Sequence, residues 1–148
     1  MIVTQGIERL SWKPRNFNDV RRPMMRVVIA DDSTVVRQRL IRLLDDVNGV
    51  EVVGQADDVP LAKNLVEMLK PDVAILDIRM PTGSGADLVP NLKRMDPDLK
   101  IIMLTNYAYP ENRKKCMDSG ADFFFDKSTE FQKVVTVLKG LLVEPGDK

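Results

Sequence analysis

From Met25 onward the apolar residues of this chain fall into two alternating patterns. Short runs rich in branched aliphatic and aromatic residues read as strands: Arg26–Ala30, Val50–Ala56, Val73–Leu76, Lys100–Leu104 and Asp122–Phe125. Between them lie longer stretches with apolar residues three and four apart, the spacing of a helix with one buried face. The first predicted helix runs from Thr34 to Val47 behind a Ser33 N-cap, with the stripe Val36, Leu40, Ile41, Leu44 and Val47, and Asn48-Gly49 breaks it. The second follows Asp58, takes Pro60 into its first turn, runs through Leu61, Leu65, Met68 and Leu69 to Lys70, and stops at Pro71. The third covers Ser84–Met95 and contains Pro90, whose missing N–H predicts a kink. The fourth begins at Pro110 and ends at Gly120. The fifth is expected to start from Ser128 as N-cap, with Phe131, Val134, Val135, Leu138 and Leu141 inward.

Five strand-then-helix units predict an α/β fold, a doubly wound (βα)5 parallel five-stranded sheet with right-handed crossovers and helices on both faces. Strands one and three should be central, and Val73–Leu76 is apolar throughout, as suits a strand covered on both sides. In the run FFF at 123–125, Phe123 and Phe125 are expected in the core and Phe124 on the other face. Cys116 reads as a helix packing residue rather than a redox sensor.

Composition narrows the class. A chain of 148 residues suits one domain, and 44% hydrophobic with 30% charged residues is ordinary for a globular protein. Zero net charge implies no bulk attraction to nucleic acid or anionic membrane. One cysteine excludes an internal disulfide and fits a reducing, cytoplasmic location. The sequence holds no apolar run near the roughly 18 residues of a membrane span and no signal-peptide core. The lack of histidine removes the commonest general base, histidine metal sites and any phosphohistidine of the chain's own. Residues 1–24 carry Arg9, Lys13, Arg15, Arg21 and Arg22 against Glu8 and Asp19, with Pro14, Pro23 and no apolar period. They are expected to form a flexible extension: a tail, a stretch upstream of a true start at Met24 or Met25, or a basic docking arm. Residues 25–143 are expected to be the domain and 144–148 a short tail. Trp12 has no assignable role.

The candidate chemistry sits where strands run out. Asp31 and Asp32 follow the first strand, Asp77 the third, Thr105 the fourth and Lys127 the fifth. Ligands of open parallel sheets bind beyond these carboxyl ends. Two bare carboxylates about 4 Å apart repel by roughly 4 kcal/mol at an effective dielectric near 20, so three together call for a cation. An all-oxygen set with phosphate chemistry favours Mg²⁺. Asp77 then suits a nucleophile that forms an acyl phosphate, with Lys127 neutralising the transferring group and the Thr105 hydroxyl donating to it. Taken alone, the acidic pair could simply offset a helix dipole, and a lone lysine or threonine would mean little. The set at successive strand ends is what points to phosphoryl transfer.

On the motifs VVIADDS (27–33), ILDIRMPTGSG (75–85), IIMLT (101–105) and GADFFFDKS (120–128), the segment Arg26–Leu142 resembles the receiver domain of bacterial two-component response regulators. The resemblance implies a flavodoxin-like sheet of strand order 2-1-3-4-5. It also implies a phospho-acceptor at Asp77 and a direct Mg²⁺ ligand at Asp32, with Asp31 assisting through water and the Arg79 main-chain carbonyl completing the protein ligands. Thr105 and Lys127 would hold the phosphate, and Thr105 with Phe124 would form the switch. Met80-Pro81 and Gly83 match the loop after the acceptor. The implied partners are a histidine kinase or phosphotransfer protein, a downstream protein, and a second receiver through helix four, strand five and helix five. No direct nucleic-acid or membrane contact is implied. Tyr107, Tyr109, Arg113 and Lys114 would face a partner. Three departures stand out: Ser128 where many receivers have proline, Asn106 where a smaller residue is commoner, and Pro90. Receivers that precede a helix-turn-helix module often share that serine.

The expected function is a single-domain response regulator, a switch rather than an enzyme, which takes part in its own Mg²⁺-dependent phosphorylation and dephosphorylation. The alternative is the receiver of a DNA-binding regulator. The residues after Val143 are too few for a helix-turn-helix, so that alternative requires a longer native chain. A haloacid-dehalogenase-type phosphatase would want DxDx[TV] after its first strand, whereas the nucleophile candidate here follows strand three and reads DIR.

Overall fold

The computed structural model describes residues 24–142. The expectations for residues 1–23, Trp12 among them, and for Val143 and the tail lie outside the described residues. The described chain runs β1 (Met25–Ala30), α1 (Thr34–Asp45), β2 (Val50–Ala56), α2 (Val59–Leu69), β3 (Val73–Leu76), α3 (Gly85–Met95), β4 (Lys100–Thr105), α4 (Pro110–Ser119), β5 (Phe123–Asp126) and α5 (Lys133–Leu142). A two-residue antiparallel ribbon, Arg79–Met80 against Gly83–Ser84, sits between β3 and α3. The sheet order is β2-β1-β3-β4-β5 and every pairing in it is parallel, as predicted.

The period-2 alternation of the strands divides the core in two. Val27, Ile29, Ile75, Ile102 and Leu104 face Leu40 and Leu44 of α1 and Val134 and Leu138 of α5. Val28, Ala30, Leu76, Ile101 and Met103 face Ala62 and Val66 of α2, Leu88 and Leu92 of α3, and Cys116 of α4. Leu40 and Leu44 are each 1% exposed, a burial worth about 1.5–3 kcal/mol per side chain. Cys116 is buried, as a packing residue should be, and is the buried residue of α4. Gly120 closes α4 at φ 118°, a left-handed conformation that favours glycine.

The structure corrects three local expectations and places Pro90 inside α3, where the sequence puts it. Helix α1 ends at Asp45 rather than Val47, because the N–H groups of Asp46 and Val47 bond to Leu43 and Leu44 and tighten the last turn. Helix α5 begins at Lys133, and Ser128 is not its cap. The Ser128 N–H and hydroxyl both donate to Asp126 Oδ1, at 2.8 and 2.6 Å, so the serine closes a turn on the strand behind it. Pro90 lies on the exposed face of α3, which continues through it as a helix to Met95. In the phenylalanine run the faces alternate as expected, but the burial is reversed. Phe124 is 3% exposed under α4, whereas Phe123 and Phe125 are half-buried and stack 6.3 Å apart on the edge strand.

Candidate functional site

The sheet register places the site. Ala30 pairs with Leu76, Leu76 with Met103, and Met103 with Phe124, so the three inner strands and β5 end close together. One further ladder bond then fixes the residue just beyond each strand. Asp31 N–H donates to Ala56 O at 3.0 Å, Asp77 N–H to Ala30 O at 2.9 Å, and Lys127 N–H to Thr105 O at 2.9 Å.

Four predicted side chains meet there. Carboxylate oxygens of Asp31, Asp32 and Asp77 lie within 4.8 Å of one another. The Lys127 ammonium bridges two of them, 2.6 Å from Asp31 Oδ2 and 2.8 Å from Asp77 Oδ2. The remaining oxygens are also engaged: Asp31 Oδ1 accepts the Ser33 N–H at 2.8 Å, and Asp77 Oδ1 accepts the Ile78 N–H at 2.7 Å. Asp31 and Asp77 are buried, whereas Asp32 is exposed at the mouth.

Burial pushes the Asp31 carboxyl above its ordinary range, and the bonds from Lys127 and Ser33 offset only part of that. Burial alone would pull Lys127 down, but its two carboxylate partners outweigh it and hold the ammonium above its usual value. Three carboxylates facing one ammonium leave an excess of negative charge. Hard oxygen donors, one of them open to water, fit a divalent cation that keeps part of its hydration shell. Among the described residues this is the one acidic group so arranged.

Thr105 is fully buried and borders the cluster, its hydroxyl accepting the Tyr107 N–H at 3.0 Å. Arg79 stands in the ribbon with its guanidinium carbon 4.1 Å from the centre of the Tyr107 ring, and Asn112 holds Tyr107 by its carbonyl. Phe124 packs in the core beneath Arg113, whose guanidinium carbon is 4.8 Å from the ring centre. Tyr109 and Arg113 are exposed at the start of α4 and Tyr107 is half-buried; Lys114 is exposed and paired with Asp118.

Two contributors were not singled out in the sequence. Gly85 opens α3 with its N–H on Ile78 O at 2.6 Å, and a Cβ there would overlap the Asp77 carbonyl oxygen. Its signal was a glycine at the end of the acceptor motif. Arg37 of α1 donates to the Asp31 main-chain carbonyl at 2.6 Å. In sequence it looks like any cation on a polar helix face.

The chain matches the family described as response regulator receiver domain over residues 27–139. It is 32% identical over 116 residues to the response regulator GacA of Pseudomonas aeruginosa, and 34% identical over 116 residues to the DNA-binding transcriptional activator DevR/DosR of Mycobacterium tuberculosis. Each alignment covers 78% of this chain and 54% of the relative, so the chain spans about half the length of these curated relatives. The isolated receiver domain of RcsB from Salmonella enterica serovar Typhimurium, solved in the presence of the phosphomimetic BeF3⁻, is 30% identical and superposes with a TM-score of 0.71, covering 83% of this chain and 94% of that one.

Proposed function

Because the chain belongs to the response regulator receiver domain family, we propose that it is a phosphorylation switch whose acceptor is Asp77. The observation that carries the assignment is a buried Asp77 carboxylate paired at 2.8 Å with the Lys127 ammonium, beside two more carboxylates within 4.8 Å. In the proposed transfer an Asp77 oxygen attacks phosphorus of a phosphohistidine on a kinase or phosphotransfer protein. The new O–P bond forms as the P–N bond breaks, and the imidazole leaves with the electron pair. Asp31, Asp32, Asp77 and the Arg79 main-chain carbonyl would hold Mg²⁺, which when bound neutralises charge on the phosphoryl oxygens.

Lys127 is already oriented by its two carboxylates, and swings its charge toward the incoming group with little reorganisation. The Thr105 hydroxyl uses a lone pair for Tyr107 and keeps its hydrogen to donate to a phosphoryl oxygen. Moving that hydroxyl would alter the packing beside Phe124 and the surface of α4, β5 and α5, where a downstream protein or a second receiver would read the change. The role is a switch in the cytoplasm rather than a turnover enzyme. Among the described residues no helix is long and apolar enough to cross a membrane. A second reading, a receiver serving a DNA-binding output, is favoured by the name of the DevR/DosR relative, of which the alignment covers 54%.

The test is incubation with acetyl phosphate and Mg²⁺ followed by intact mass. One phosphate should add to the parent and none to Asp77→Asn. A normal adduct on that variant would remove Asp77 from its role.

A further inference from the structure

Helix α1 carries a side chain that reaches back to the acidic turn. The Arg37 guanidinium makes three bonds: Nη1 to the Asp31 main-chain carbonyl at 2.6 Å, Nε to Gln55 Oε1 at 2.9 Å, and Nη2 to Thr34 Oγ1 at 3.3 Å. The position of the first bond matters. The Asp31 N–H still belongs to the sheet, through Ala56 O. Beyond it the chain leaves the ladder for α1, and the Asp31 carbonyl takes its donor from Arg37 instead. The turn that presents Asp31 and Asp32 is therefore held from both ends, by Ser33 N–H on the Asp31 carboxylate and by Arg37 on its carbonyl. A planar guanidinium with several donors in a fixed fork can clamp a carbonyl, an amide and a hydroxyl at once.

We propose that Arg37 is a positioning residue that sets the geometry of the Asp31–Asp32 turn and thereby the affinity of the site for a divalent cation. The proposal rests on the receiver reading above. It concerns the loop rather than the charge, and the two accounts have opposite signs. A cation beside three carboxylates opposes the binding of another cation, so if Arg37 acted through charge alone its removal would tighten Mg²⁺. If it acts as a clamp, its removal frees the turn and loosens Mg²⁺. The guanidinium is half-buried, bonds a carbonyl rather than a carboxylate, and faces partly screened solvent, so the clamp should dominate. Partners that orient metal ligands typically matter by 10–100-fold in affinity, and the lower end, about tenfold, is expected for a contact made through the main chain.

The experiment is a titration of the full chain with Mg²⁺ alone, read from the amide NMR shifts of Asp32, Ser33 and Ile78. Arg37→Ala should weaken Mg²⁺ about tenfold, and Arg37→Lys, which keeps the charge and a single donor nitrogen, should recover part of the loss. Gln55→Ala removes another arm of the fork but not the Asp31 bond, and should leave affinity nearly unchanged. Unchanged or tighter Mg²⁺ in Arg37→Ala overturns the proposal, and so does an equal loss in Gln55→Ala, which would assign the effect to the general tie between α1 and β2. If the parent itself neither binds Mg²⁺ nor takes phosphate from acetyl phosphate, the receiver reading falls and this proposal with it.

Discussion

Replacing Gly85 by alanine adds one methyl group in the worst available place. The Cβ would overlap the Asp77 carbonyl oxygen and stand 3.0 Å from the Asp77 carbonyl carbon and 3.5 Å from Ile78 Cα. Carbon atoms prefer about 3.5–4.0 Å, so two backbone segments must part by about 1 Å. Neither is free to do so. Asp77 is tied to β1 through Ala30 O, and the start of α3 is tied to the same loop by the Gly85–Ile78 bond and the Ser84 cap. Gly85 is not among the positive-φ glycines, so the cost is steric alone. Overpacking of this kind costs about 1–3 kcal/mol of stability. The larger effect falls on chemistry, since Asp77 carries the carboxylate that Lys127 holds at 2.8 Å. A misplacement of about 1 Å at a reacting group costs on the order of 10²-fold in rate. The assay is urea unfolding alongside a mass-spectrometric time course with acetyl phosphate and Mg²⁺. Gly140→Ala is the control, because a Cβ there meets nothing within 4 Å and should be neutral or stabilise α5 by up to about 1 kcal/mol. Parent-like stability and parent-like phosphorylation in Gly85→Ala would refute the close approach of α3 to the acceptor strand.

Asp32→Asn should weaken Mg²⁺ binding and slow phosphorylation, while the metal-free variant becomes more stable by at most about 1 kcal/mol, because Asp32 is exposed and its repulsion screened; calorimetric titration with thermal unfolding checks both, and undiminished Mg²⁺ affinity would contradict the metal site. The Asp31 carboxyl has a folded-state pKa above its ordinary value, so its contribution to metal-free stability is fully present in acid and is lost as pH rises through the raised pKa. The stability of the parent relative to Asp31→Asn, by urea unfolding without metal, should therefore decline as pH rises above the ordinary carboxylate range, and a difference that grows on that rise would contradict the burial of this carboxylate.

The sequence by itself determined the alternation of strands and helices, the central place of Val73–Leu76, and the polar residues that end each strand. These arise from local periodicity, and a parallel sheet necessarily gathers the residues just past its strands at one edge. That is why Asp31, Asp32, Asp77 and Lys127 could be grouped in advance and do meet. Tertiary structure decided whatever depends on which distant group arrives first. Ser128 has the composition of a helix cap, but Asp126 captures both its donors before α5 begins. Phe124 is buried and its neighbours are not, because β5 is an edge strand and α4 with Arg113 closes over that face. Gly85 and Arg37 matter through contacts with the Asp77 and Asp31 main chain, which no periodicity encodes. Side-chain pattern is written along the chain, whereas the closeness of one backbone to another exists only after the sheet and its helices have packed.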